Sequence, residues 1–183
     1  MSRDVPGSDK RQSTGLQVLG AFALAFMLVM AVTSDLCAPR SSPLVGEHAP
    51  PFVREVVGGL GSASHDRIDL EALRGRTVVL DFWASWCPPC RASVPALDAF
   101  ARAHPEVSVI GVNVESDRGA AFVRSAHDSL GASYPTVHDH DGTLQQAYGI
   151  TNLPTLLVLD GDGVVRDAHV GVVDEDWLSR HAL

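Results

Sequence analysis

The sequence predicts an α/β fold, a mixed central β-sheet flanked by helices and preceded by one N-terminal transmembrane helix. Three observations carry this expectation. Short apolar runs rich in β-branched and aromatic residues alternate with segments of helical period, as layered α/β domains require. One run, Val78-Val79-Leu80-Asp81-Phe82-Trp83, leads through Trp86-Cys87-Pro88-Pro89-Cys90 into such a helical segment. The stretch between Arg11 and Asp35 contains no charge at all. No internal repeat or long low-complexity run interrupts the pattern, and the length suits one compact domain. The expected division is 1–11 as a cytoplasmic N-terminus, 12–34 as a transmembrane signal anchor, 35–44 as a tether and 45–183 as the folded domain.

The anchor is read from length and flanks. Leu16 to Val32 is dominated by Leu, Ala, Val, Phe and Met. At about 1.5 Å per residue the uncharged stretch gives roughly 35 Å of helix, enough to cross a bilayer core. Arg3, Lys10 and Arg11 precede it and Arg40 alone follows closely, so the positive-inside bias places the N-terminus in the cytoplasm. The expected location is therefore the inner (cytoplasmic) membrane, crossed once, with the domain on the periplasmic or extracytoplasmic side. A cleaved signal peptide is the competing reading, from the modest side chains of Ala31-Val32-Thr33. A lipoprotein site at Cys37 fits poorly behind Ser34-Asp35-Leu36, so Cys37 reads as a spare juxtamembrane thiol.

Within the domain, Arg76–Trp83 reads as the first central strand, Arg91–Ala103 as the following helix with Pro95 inside it, and Val107–Val114 as the next strand. Arg118–Leu130 reads as a crossover helix and Thr143–Tyr148 as a short one. Gly161-Asp162-Gly163 is a hairpin turn between Leu156–Asp160 and Val164–Val170, and Asp174 caps a last helix to Ala182. This predicts a sheet of four or five strands.

Charge narrows the partners. Acids outnumber bases 22 to 14, a formal net charge of −8, which argues against a phosphate-binding surface and hence against nucleic acid. The expected partner is protein.

Two thiols three positions apart at a strand-to-helix junction form a disulfide that can open and close, which is redox chemistry. Cys87 falls at the helix N-terminus, where free N–H groups and the helix dipole favour a thiolate, so it is the expected nucleophile. Cys90, one turn inside and expected to be more buried, is the expected resolving thiol.

The stretch Asp81-Phe82-Trp83-Ala84-Ser85-Trp86-Cys87-Pro88-Pro89-Cys90 closely resembles the active-site segment of the thioredoxin superfamily, and Pro95 falls where thioredoxins carry a proline. Asn152-Leu153-Pro154-Thr155, before the strand Leu156–Leu159, resembles the family's cis-proline loop. Val45-Gly46-Glu47-His48-Ala49-Pro50-Pro51-Phe52, Ile68–Gly75 and Tyr134-Pro135-Thr136-Val137 resemble the opening motif, the strand and helical turn before the central strand, and the mid-chain strand of anchored TlpA/ResA-type reductases. The resemblance spans Val45 to Leu183. It implies a thioredoxin-like fold and a thiol-disulfide oxidoreductase, favoured as a reductase, acting on cysteines of exported proteins, with cytochrome c maturation among the client processes. It implies Cys87 and Cys90 as the catalytic pair, with Trp86, Pro88, Pro89, Leu153 and Pro154 meeting substrate. No cofactor is expected beyond the Cys87–Cys90 disulfide, and a membrane thiol donor supplies the electrons. Several family members place a glutamate three residues after the second cysteine, where this chain has Ser93. Asp81, matching the buried aspartate of thioredoxins, is the proton acceptor expected in its stead, its pKa raised by desolvation.

Other readings of these residues are weighed beside this one. A single C-x-x-C supplies half of a tetrahedral zinc site, and no second pair follows. Asp139-His140-Asp141, with His138, has metal-ligand composition but reads as a solvated loop ending in the turn signal Asp141-Gly142. Asp81 has a structural alternative, a carboxyl hydrogen-bonded within the sheet, and Trp83 stays open between core and site. The alternatives in function are a thiol peroxidase, which wants a threonine where Ala84 stands, and a copper-binding metallochaperone, whose relatives space their cysteines by three residues rather than two.

Overall fold

The computed structural model describes residues 44–59 and 66–183. The expected anchor, most of the tether and Cys37 lie outside the described residues. Among the described residues no helix is long and apolar enough to cross a membrane.

The strands are β1 (Val53–Gly58), β2 (Arg67–Asp69), β3 (Val78–Trp83), β4 (Ser108–Asn113), β5 (Thr136–His138), β6 (Thr155–Leu159) and β7 (Val165–Val170). The helices are α1 (Pro88–Ala103), α2 (Ala120–Ser129), α3 (Thr143–Ala147) and α4 (Glu175–His181). The strands form one seven-stranded sheet in the order β2-β1-β5-β4-β3-β6-β7. β3, β4 and β5 run parallel, and the remaining pairings are antiparallel. This is the mixed, helix-flanked α/β sheet that the alternating pattern predicts.

The strand count corrects the expectation of four or five. β2 and β5 are three residues each, too short to show a period of two, and β1 takes its place by pairing with β5 from far along the chain. Only the longer apolar runs carry a local strand signal.

β3 is buried along its whole length, as a central strand covered on both faces must be. Leu80 and Phe82 pack on one side with Phe52, Val112, Tyr148 and Leu157. Val79 packs on the other with Val94, Leu97 and Phe100 of α1 and with Leu156 and Leu178. Strand alternation puts Asp81 on the Val79 side, beneath α1.

Helix α1 starts three residues before the expected Arg91. Pro88 and Pro89 fill its first two positions, where a helix has no use for an N–H and φ near −65° suits the turn. Pro95 lies inside α1 and leaves the Arg91 carbonyl without its helical donor. The other helices and the β6–β7 hairpin fall within two residues of their expected bounds. At the hairpin, Gly163 takes φ 72°, its N–H donates to Asp160 C=O at 2.9 Å, and Asp160 Oδ1 accepts from Val164 N–H at 2.9 Å. Asp174 caps α4 by accepting from Trp177 N–H at 2.8 Å.

A redox-active disulfide at the start of a helix

The end of β3 delivers Ala84–Trp86 to the first turn of α1. Cys87 is the N-cap, extended at φ −94° and ψ 101°, and it forms a disulfide with Cys90 whose Cα atoms lie 5.3 Å apart. The Cys90 N–H donates to Cys87 Sγ at 3.2 Å. Pro88 and Pro89 have no N–H to offer, so Cys90 supplies the backbone donor that reaches the sulfur. The expectation that Cys90 is the more buried thiol is corrected, since both cysteines are 2% exposed. Linked as a disulfide, the two residues belong to the same buried cluster as Ala84 and Phe82. What distinguishes them is position: Cys87 stands ahead of the helix and Cys90 inside its first turn.

Around the disulfide, Trp86 is 67% exposed, and Pro88 and Pro89 are exposed beside it. Pro154 follows a cis peptide bond from Leu153, as the proline-loop resemblance implies. The loop is closed by Thr155 Oγ1 donating to Asn152 C=O at 2.7 Å and by Gly171 N–H donating to Pro154 C=O at 3.0 Å. Leu153 packs, half-buried, against the cluster that holds both cysteines.

Asp81 is buried at 3% exposure. Its Oδ2 accepts from the Tyr134 hydroxyl at 3.2 Å, and Oδ1 has no partner among the described residues. Burial pushes its pKa up to about 7, against the pull of the Tyr134 hydrogen bond. Tyr134, itself buried and facing that carboxyl, is held well above its ordinary value of 10. Trp83 resolves as a core residue, 2% exposed, with Nε1 donating to Thr136 Oγ1 at 3.0 Å.

Ser93, at the position where several relatives carry glutamate, is a tie. Its Oγ donates to Pro89 C=O at 3.4 Å and accepts from Val173 N–H at 3.2 Å, joining the first turn of α1 to the segment after β7. The Asp139–Asp141 stretch is a loop with His140 and Asp141 exposed, as expected, and the reading is corrected at Asp139 alone. Asp139 is fully buried and accepts from Leu144 and Gln145 N–H at 3.0 and 2.8 Å, capping α3. Asp141 pairs with Arg54 at 2.9 Å; its bonds to Thr143, above all, hold its carboxyl well below the usual range. His138 Nε2 meets Glu115 C=O at 3.0 Å.

Sequence reading missed Glu115. It is buried, and its carboxylate accepts from Ser85 N–H, Ser85 Oγ and Asn113 Nδ2 at 2.7, 2.9 and 3.0 Å. The available signal was a polar pair, Asn113 and Glu115, closing an otherwise apolar strand.

A helix-capping Cys-x-x-Cys disulfide just past the end of β3, beside a cis-proline loop, defines a thiol-disulfide oxidoreductase of thioredoxin-like fold. The chain belongs to the Redoxin family, which matches residues 44–181. It is 31% identical over 137 residues to the thioredoxin-like protein YneN of Bacillus subtilis, covering 74% of this chain and 76% of that one. It is 29% identical over 170 residues to the thiol-disulfide oxidoreductase ResA of Halalkalibacterium halodurans, covering 93% of each. The crystal structure of StoA from Bacillus subtilis superposes with a TM-score of 0.61 at 28% identity, over 74% of this chain and 99% of that one. Together these relatives make the chain a ResA-like member of the thioredoxin superfamily that acts on cysteine-containing proteins.

Proposed function

We propose that this oxidoreductase works as a reductase of disulfides in exported proteins, held at the cytoplasmic membrane by residues 12–34 with its domain on the extracytoplasmic side. Apocytochrome c is the proposed client, in the manner of cytochrome c maturation. The Cys87 thiolate attacks a substrate disulfide, forms a mixed disulfide and releases one substrate thiolate. Cys90 then gives its proton to Asp81 and attacks the Cys87 sulfur, releasing the second substrate thiol and closing the Cys87–Cys90 disulfide. The substrate gains two electrons and two protons, and a membrane thiol donor returns the dithiol. No further cofactor enters. Trp86, Pro88, Pro89, Leu153 and Pro154 form the contact surface, and among the described residues the Leu153 N–H and C=O have no hydrogen-bond partner within the fold, leaving them for an extended peptide.

The observation that carries the reducing direction is the donor count at Cys87. With prolines at the first two helical positions, one backbone N–H, from Cys90, reaches the sulfur. A thiolate with few donors is less stable, and a less stable thiolate makes a stronger reductant. Equilibration with graded dithiothreitol or glutathione, read by alkylation and mass spectrometry of Cys87 and Cys90, tests this. A potential near about −270 mV, as in thioredoxin, supports a reductase, and one near about −120 mV makes the protein a disulfide donor.

A further inference from the structure

A second acidic group is built into the approach to Cys87. β3 and β4 pair in parallel with Trp83 opposite Asn113, and the register continues past both strands, Val114 N–H donating to Trp83 C=O at 3.1 Å. Glu115 is thereby set alongside Ser85, two residues before the N-terminal cysteine. Its carboxylate is 4% exposed as a residue and takes three hydrogen bonds, all from neutral donors. Asn113 Oδ1 accepts from the Glu115 N–H at 3.1 Å, and Arg91 Nη2 donates to Ser85 C=O at 2.8 Å. Ser85 is therefore held at its N–H, its hydroxyl and its carbonyl. Among the described residues, no ion pair includes Glu115.

We infer that Glu115 positions the turn that presents Cys87 and, as a buried carboxylate without an ion-pair partner bonded to Ser85 two residues before it, disfavours the Cys87 thiolate and so sets the protein toward the reducing side. The sign follows from the two redox forms. The dithiol form ionises at Cys87 and the disulfide form carries no charge there. A neighbouring anion in low dielectric therefore raises the free energy of the reduced form alone and drives electrons out to substrate. Five other charged or titratable groups lie around the same turn. Arg91 on α1 opposes the effect, His138 on β5 lies against the Glu115 carbonyl, and Asp117 with Arg118 form an exposed pair just beyond it. Asp81 lies beneath α1. This inference rests on the thiol-disulfide activity and not on the identity of the client or the proton acceptor.

Glu115→Gln in the full chain separates charge from scaffold. The amide oxygen keeps the bonds from Ser85 N–H and Asn113, and the amide nitrogen donates to a rotated Ser85 hydroxyl. The expected result is a dithiol-disulfide equilibrium with glutathione displaced at least threefold toward the dithiol, and a Cys87 alkylation profile whose midpoint moves to lower pH. Glu115→Asp keeps the charge, and Ser85→Ala keeps the charge while removing the hydroxyl bond; both are expected to stay close to the parent in midpoint. An unchanged profile in Glu115→Gln overturns the inference. So does an equal displacement in Glu115→Asp or Ser85→Ala, which would make the effect one of turn geometry; these two variants decide the matter if the glutamine variant fails to fold. The parent's absolute potential tests the reductase proposal separately, because the displacement between variants is expected whichever direction the parent favours.

Discussion

Tyr134 donates its hydroxyl to Oδ2 of Asp81 at 3.2 Å, across 53 positions of sequence, and leaves Oδ1 without a partner. One oxygen is thus fixed and the other is free to hold a proton. Because burial lifts this carboxyl to about 7, both protonation states are populated at neutral pH, as a general base for a thiol requires. Strand alternation sets Asp81 on the Val79 side of β3, beneath α1, the helix whose first turn contains Cys90.

Asp81→Asn is expected to slow the resolving step at least tenfold at neutral pH while leaving formation of the mixed disulfide nearly unchanged. Single-turnover reduction of a disulfide substrate from pH 5 to 9 checks this. The parent rises through about pH 7 and the variant lacks that step. The same profile in both proteins would leave Asp81 a structural role.

Stability is expected to respond to pH with two opposed slopes. Asp81 binds its proton more tightly in the folded than in the unfolded chain, so its contribution is complete below about pH 4 and lost as pH rises through about 7. His127 is 1% exposed with both ring nitrogens unpartnered, and burial lowers its pKa to about 4. Its contribution is present above about 6.5 and lost as pH falls toward 4. The upper bounds are about 4 kcal/mol for Asp81 and about 3 kcal/mol for His127. The two windows overlap and oppose each other in the parent, so urea melts at pH 4, 5.5 and 7 should show stability rising with pH in Asp81→Asn and falling with pH in His127→Phe.

Tyr134→Phe removes the one hydrogen bond to Asp81. The carboxyl's pKa is expected to rise further, since that bond favours the ionised form, and the pH–rate step to move to higher pH with it. The cost in stability is about 1–3 kcal/mol for stranding a buried acceptor. A step that stays in place, followed by the same single-turnover assay, would show that Tyr134 does not govern Asp81.

Cys90→Ser is expected to accumulate mixed disulfides on Cys87, and Cys87→Ser to accumulate none. Non-reducing electrophoresis with mass spectrometry of the trapped species distinguishes them and identifies clients. Equal trapping by both variants would overturn the assignment of Cys87, which in the disulfide is no more exposed than Cys90.

The legible parts of the fold were those with strong local signals. The long apolar run of β3, the Asp174 cap, the Gly161–Gly163 turn and the Cys-x-x-Cys pair each state their geometry within a few neighbouring residues. The misjudged parts were those that depend on distant partners. β2 and β5, three residues each, become strands by pairing across the sheet. Asp139 looks like a turn residue and is a buried cap, because the start of α3 folds back over it.

By itself the sequence determined the order of the main elements, the redox pair, the proline loop and an acidic residue at the centre of the core strand, since all of these are written in contiguous residues whose chemistry acts locally. The tertiary structure alone decided which side chains surround them. The parallel register of β3 with β4 brings Glu115 to Ser85, and the fold returns Tyr134 to Asp81. Such pairings depend on sheet order and strand register, which are set by long-range packing and leave no mark on the spacing of the residues they join.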